Sequence, residues 1–197
     1  MSNRKTFLAV GLGNPEGKYF QTYHNAGFLA AELLAERNNA LFKKKGNQML
    51  CDFKAGNAKV IVLKPLTYMN SSGQAVVAAA RKHKIASENI IVLFDDMYIE
   101  KGNIRIRFGG SGGGHNGIRS IDELLGTNKY IKIKIGIMPE KEPHSTSNYV
   151  LSKIDKQSKP LIDEALQKAA DAAMMLINGE KLDKVQGLYN KTNEASS

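Results

Sequence analysis

Ile90-Ile91-Val92-Leu93-Phe94-Asp95-Asp96 carries the strongest architectural signal in the chain. A continuous apolar run of strand length fits the centre of a sheet covered on both faces, not a hairpin with one wet face. The run stops at two carboxylates, which the strand therefore delivers to one end of the sheet. Upstream, Phe7-Leu8-Ala9-Val10 reads as another short buried strand. It runs into Gly11-Leu12-Gly13-Asn14-Pro15, a turn in which Gly and Asn tolerate positive φ and Pro ends regular structure. Phe28, Leu29, Leu33 and Leu34 then recur at helical spacing over 25–37, with His24 at the N-terminal end of that helix. Residues 49–53 and 60–63 form two strands around the hairpin Ala55-Gly56-Asn57-Ala58. Asn70-Ser71-Ser72 supplies N-cap oxygens for a helix over 74–84, which ends in basic residues suited to its C-terminal dipole.

Downstream, Ile104, Ile106 and Phe108 alternate with Arg105 and Arg107, and Ile131, Ile133 and Ile135 alternate with Lys132 and Lys134. Both stretches read as strands with a wet, positively charged face. The glycine-rich segment 109–117 between them forms a loop, followed by a helix through Ile118, Ile121, Leu124 and Leu125. A polar stretch over 139–148 precedes a long amphipathic helix marked by Leu161, Ile162, Ala165, Leu166, Ala169, Ala173, Leu176 and Ile177. Alternating strands and helices without an internal repeat predict an α/β fold. We expect a single globular domain over 1–190, a twisted mixed β-sheet flanked by helices, with a polar tail over 191–197.

The 197 residues, 42% of them hydrophobic, are enough for one substantial core. A formal net charge of +9 makes a polyanionic partner plausible. Within 101–135 that excess is concentrated in Lys101, Arg105, Arg107, Arg119, Lys129, Lys132 and Lys134, against Asp122 and Glu123. Charge alone does not separate RNA from a membrane surface. The lone Cys51 forms no internal disulfide and reads as a small buried side chain rather than a nucleophile. No run approaches transmembrane length and the N-terminus lacks a signal-like apolar segment, so the expected location is the cytoplasm.

Ligands in open α/β sheets bind at the loops following the strands, and Asn14, Asn70, Asp95 and His24 all fall there. Imidazole is the side chain best matched to proton transfer near neutral pH, and a carboxylate on its second nitrogen fixes its tautomer. His24 and Asp95 are the natural pair; the competing account has His24 capping its helix and Asp95 turning the chain after its strand. Asn14, Asn70 and Asn116 offer neutral amides that stabilise a developing oxyanion without neutralising a nearby base, though each alone also suits a turn. The glycine run lacks a following Lys-Ser/Thr, and Pro15 and Lys18 interrupt any dinucleotide fingerprint, so a nucleotide cofactor is disfavoured. His115, in a Gly-rich loop, reads as supportive, and His83 and His144 as solvent-exposed. There is no HExxH, no Cys pair and no GxSxG elbow around Ser71 and Ser72, so neither a zinc site nor a serine nucleophile has support.

In order along the chain, the segments 10–15, 19–28, 68–70, 94–96, 114–117 and 148–151 resemble those of bacterial peptidyl-tRNA hydrolases over nearly the whole length. The resemblance implies a monomeric, cofactor-free and metal-independent α/β enzyme that hydrolyses the ester between a peptide, or an N-blocked amino acid, and the 3′ ribose of tRNA. It makes His24 the general base and Asp95, first of the acidic pair, its orienting partner. It assigns Asn14 and Asn70 to holding the substrate near the ester and Asn116 to the peptide side or the water. Tyr19, Tyr68 and Met69 would line the cleft, with His115 supporting its loop. Arg107 and Lys134 match the positions that hold the tRNA 5′-terminal phosphate, with the two cation types exchanged relative to many members. Residues 139–150 would form a mobile lid over the cleft, and the helix starting near Lys159 would help take up the acceptor arm. Tyr23 stands where arginine is common, and Ser111 where histidine often is. An RNA-binding protein without hydrolytic activity and an amidase are the competing classes. Retention of His24, Asp95 and the three asparagines speaks against the first, and the lack of an activated Ser or Cys against the second.

Overall fold

The computed structural model describes residues 5–190. One seven-stranded mixed sheet forms its middle layer, built from β1 (Thr6–Gly11), β2 (Lys43–Lys44), β3 (Gln48–Ala55), β4 (Ala58–Pro65), β5 (Ile90–Asp96), β6 (Ile104–Phe108) and β7 (Ile131–Gly136). The spatial order is β2-β3-β4-β1-β5-β7-β6. β4, β1, β5 and β7 are mutually parallel, whereas β3 is antiparallel to β4 and β6 to β7. Helices α1 (Ala26–Glu36), α2 (Ser72–His83), α3 (Asn116–Leu125), α4 (Thr146–Val150), α5 (Lys159–Ile177) and α6 (Leu182–Tyr189) complete the fold. The polar tail expected over 191–197 lies outside the described residues.

Every residue of β5 is buried, as its unbroken apolar run requires, and the strand continues through Asp95 and Asp96 instead of ending before them. Alternate residues feed two cores. Ala9, Ile91, Leu93, Ile133 and Ile135 meet an alanine-rich layer from α1 and α5. Leu8, Val10, Val92 and Phe94 meet Val76, Ala79, Ile118 and Ile121 of α2 and α3. Close approach of α1 to the sheet depends on Gly27, where a Cβ would stand 2.2 Å from Leu93 O and 2.5 Å from Leu12 N. The contact anchors the N-terminal end of α1, and with it the preceding His24, against β1 and β5.

Three expectations need correction, and two elements were not foreseen. No Asn70, Ser71 or Ser72 oxygen caps α2; Ser72 Oγ instead donates to Met69 O at 2.8 Å, closing the short 3-10 turn Met69–Ser71. The charged face holds for β6, where Arg105 and Arg107 are exposed, but not for β7. Lys132 is fully buried, with Nζ donating to Gly110 O at 2.8 Å and Asn128 O at 3.3 Å. The cause is antiparallel geometry. β6 ends beside the start of β7, so the glycine segment must climb back along the face bearing Lys132 and Lys134 before α3 descends. His83 is half-buried rather than exposed, and burial lowers its pKa. Finally, β2 and α6 escaped the sequence reading. α6 packs on β6, where Asn190 receives Ile106 N at 2.6 Å and donates to Ile106 O at 2.9 Å, occupying backbone groups of an edge strand.

Cys51 is buried on β3, and burial pushes its thiol up to about 11, consistent with an inert side chain. Among the described residues no helix is long and apolar enough to cross a membrane.

Candidate active site

The carboxyl ends of the parallel strands β1, β4 and β5 open into a cleft of about 480 Å³. Asn14 reaches it just after β1, Tyr68, Met69 and Asn70 just after β4, and Asp95 and Asp96 from the end of β5. His24 and Tyr19 approach from the segment before α1, and Gly112–Gly114, His115 and Asn116 from the start of α3. All nine residues expected to be catalytic or substrate-binding therefore border one cavity. Met97 and the α4 side, with Thr146, Ser147, Val150 and Leu151, complete its lining. Arg107 and Lys134 are outside that lining.

His24 sits in a 3-10 turn, Tyr23–Asn25, that leads directly into α1. Its Nδ1 lies 3.0 Å from each oxygen of Asp95. An N–H there donates to the carboxylate, which leaves the Nε2 lone pair on the opposite ring edge, available to a water. Burial by itself would lower the pKa of His24, but the charge of Asp95 and its hydrogen bond outweigh that cost and hold it above the ordinary histidine value. Burial would likewise raise Asp95, yet His24 first and His115 second keep its carboxyl well below the usual carboxylate range. The pair is a base with a fixed tautomer and a counterion ready for its protonated state.

His115 has a larger place than the sequence suggested. Its Nδ1 accepts from Gly117 N at 3.2 Å and Ile118 N at 3.4 Å, capping α3, while Nε2 lies 3.1 Å from Asp95 Oδ1. Two backbone donors on Nδ1 place the proton on Nε2, so His115 is a second donor to Asp95. His24, Asp95 and His115 offer three ligand-type atoms within 4.8 Å of one another. A cation between them would need the Nε2 lone pair of His115, and the corresponding tautomer would aim an Nδ1–H at two amide hydrogens. The donor set suits a hydrogen-bonded His–Asp–His array better than a metal.

Asn14 and Asn116 are held in defined orientations. Asn14 Oδ1 accepts Met69 N at 3.1 Å, so its remaining Nδ2 group is the free donor. The Asn14 backbone is clamped by Asn25, which receives Asn14 N at 2.9 Å and returns Nδ2 to Asn14 O at 3.0 Å. Asn25, buried at the helix entry, was not singled out in the sequence; its place directly after His24 was the available signal. Asn116 Oδ1 accepts Arg119 Nη2 at 2.9 Å, again leaving the amide nitrogen to donate. Asn70 is exposed at the rim. Tyr68 OH donates to Glu16 Oε1 at 2.5 Å across the cleft mouth.

The two proposed phosphate ligands differ in state. Arg107 is exposed and makes no ion pair among the described residues. Lys134 pairs with Asp96 Oδ2 at 2.8 Å beneath Gly113, and Asp96 Oδ1 also receives Tyr98 N at 2.9 Å.

An imidazole backed by a buried carboxylate, neutral amide donors and a cleft at the carboxyl edge of a mixed sheet form an α/β arrangement of the kind that suits hydrolysis by acid–base catalysis. The chain belongs to the peptidyl-tRNA hydrolase family, whose model matches residues 8–197. It is 43% identical over 190 residues to the peptidyl-tRNA hydrolase of Clostridium acetobutylicum, covering 95% of this chain and 97% of that protein. The Desulfitobacterium hafniense peptidyl-tRNA hydrolase is 40% identical over 184 residues, covering 93% and 99%. The crystal structure of Acinetobacter baumannii peptidyl-tRNA hydrolase superposes with a TM-score of 0.85 at 33% identity, covering 93% of this chain and 94% of that one.

Proposed function

We propose that this chain hydrolyses peptidyl-tRNA, cleaving the ester between the peptide or N-blocked amino acid and the 3′ ribose by water activated at His24. The observation that carries the mechanism is the contact of His24 Nδ1 with both oxygens of buried Asp95, in a cleft bordered by oriented asparagines. His24 Nε2 takes a proton from water as the oxygen attacks the ester carbonyl. The Asn14 and Asn116 amide nitrogens, with Asn70 at the rim, donate to the substrate and the developing oxyanion. Collapse of the tetrahedral intermediate expels the ribose 3′ oxygen, which recovers the proton from the imidazolium, and the products are free tRNA and a carboxylate. Asp95 stabilises that imidazolium without itself taking the proton, consistent with its lowered pKa. His115 keeps Asp95 oriented. A single copy carries all of these groups, so we assign the activity to a monomer.

The tRNA acceptor arm and its 5′ phosphate approach from the Arg107 side, with Arg107 the main cation because Lys134 is shared with Asp96. A deacylation assay tests the whole reading: N-acetyl-aminoacyl-tRNA should be hydrolysed and the free aminoacyl-tRNA largely spared. Equal rates on both would contradict the substrate assignment.

A further inference from the structure

The segment before the base is stitched to the segment after α4 by more contacts than surface loops require. Ile154 N donates to Gln21 O at 2.9 Å and Tyr23 N to Ser152 O at 3.2 Å. Thr22 and Lys153 form an antiparallel bridge, and Lys153 Nζ meets Phe20 O. At the centre is Tyr23, only 2% exposed and directly preceding His24. Its ring stacks on Tyr149 of α4 with centroids 4.9 Å apart and planes 22° from parallel. Its hydroxyl donates to Asp155 Oδ2 at 2.7 Å, and the same carboxylate oxygen accepts Ser158 Oγ at 2.8 Å. Tyr149 in turn donates its hydroxyl to Ile137 O, just beyond β7, at 2.5 Å.

A five-residue helix such as α4 does not hold itself in place; its position is set by what it packs against. Tyr149, together with Val150, packs it against the core, while Thr146, Ser147, Val150 and Leu151 border the cleft. Val150 and Leu151 are apolar and none of the four is cationic, so this wall suits the acyl portion of a substrate better than a phosphate. We propose that Tyr23 and Tyr149 are positioning residues that fix the α4 wall relative to His24, and so determine how the enzyme receives the side chain next to the scissile ester. This inference rests on the peptidyl-tRNA reading and deepens it, because the same two rings join the base to the acyl chamber.

The test compares N-acetylglycyl-tRNA with N-acetylphenylalanyl-tRNA, each with its own deacylated tRNA as competitive inhibitor. Tyr149→Leu should lower kcat/KM for the phenylalanyl ester about tenfold, mainly through KM, and change the glycyl ester by less than about twofold. The inhibition constants of the deacylated tRNAs should stay within about twofold of wild type. Tyr149→Phe, which keeps the stack, should restore most of the discrimination, and Tyr23→Phe should shift it in the same direction as Tyr149→Leu by a smaller factor. A parallel fall for both esters, or inhibition constants rising in step, overturns the proposal. Should Tyr149→Leu not fold, Tyr23→Phe and Asp155→Asn decide, and wild-type discrimination in both overturns it equally. If the wild-type enzyme spares both esters, the peptidyl-tRNA reading itself has failed, an outcome distinct from the loss of acyl selectivity.

Discussion

The role of base proposed for His24 rests on what surrounds it, and a pH behaviour follows. Only the deprotonated form accepts a proton from water, so kcat/KM should rise with pH through a value above the ordinary histidine pKa. In Asp95→Asn the raising influence disappears while burial remains, so the acid limb should move to lower pH as kcat falls; an unmoved limb would contradict the dyad. His24→Ala should cost at least about 10²-fold in kcat with tRNA affinity largely kept, read by single-turnover deacylation and inhibition by deacylated tRNA. Stability obeys the same linkage. The folded pKa of His24 is raised, so its contribution is complete below the unfolded value and fades as pH climbs through the folded one. Asp95 is depressed, so its contribution is present above its unfolded value and lost on acidification. The thermal midpoint gap between wild type and Asp95→Asn should therefore be wider near about pH 5 than near about pH 9.

Among the elements, α1 and the strand ends carry the site. Of the hydrophobic residues that announced α1, Phe28 and Leu34 are buried but Leu29 and Leu33 only partly, and Ala30, Ala31 and Gly27 share the buried contact. Small residues admit the close approach that large ones block. Gly27→Ala would force its new methyl group against Leu93 O and Leu12 N. We expect a loss of about 1–3 kcal/mol, seen as a lower urea midpoint with unchanged slope. Because His24 precedes the displaced turn, kcat should fall in the fraction that remains folded; a stable variant with normal kcat would show that α1 does not position the base. Lys132 carries the same lesson for the glycine segment. Its alternation with Ile131 and Ile133 reads as a wet face, yet its ammonium is spent on two backbone carbonyls.

For the whole molecule, how much of the formal charge of +9 is open to a polyanion depends on pairing. Lys134 is shared with Asp96 and Lys132 is enclosed, whereas Arg105 and Arg107 remain exposed on β6. Arg107→Ala should raise KM more than Lys134→Ala, and should reduce the slope of log KM against log salt by about 0.7–0.9. Equal effects would mean that the Asp96 pair opens on binding, and no change in slope would remove Arg107 from the tRNA contact.

Local pattern is enough to predict a mixed sheet between helices, though not the order of its strands, nor β2 and α6. An unbroken apolar run has only one kind of place in a sheet, and periodicity and turn chemistry depend on neighbours within a few residues. The sequence also identified, as candidates, the loops that carry His24, Asp95 and the asparagines. Packing alone fixes how far those groups stand from one another, that His115 shares Asp95, that Asn25 clamps Asn14, and that two of the four strand-borne cations turn under a glycine segment. Those contacts join residues remote along the chain or set by the return path of a loop, and distance between such groups is a property of packing that no local pattern encodes.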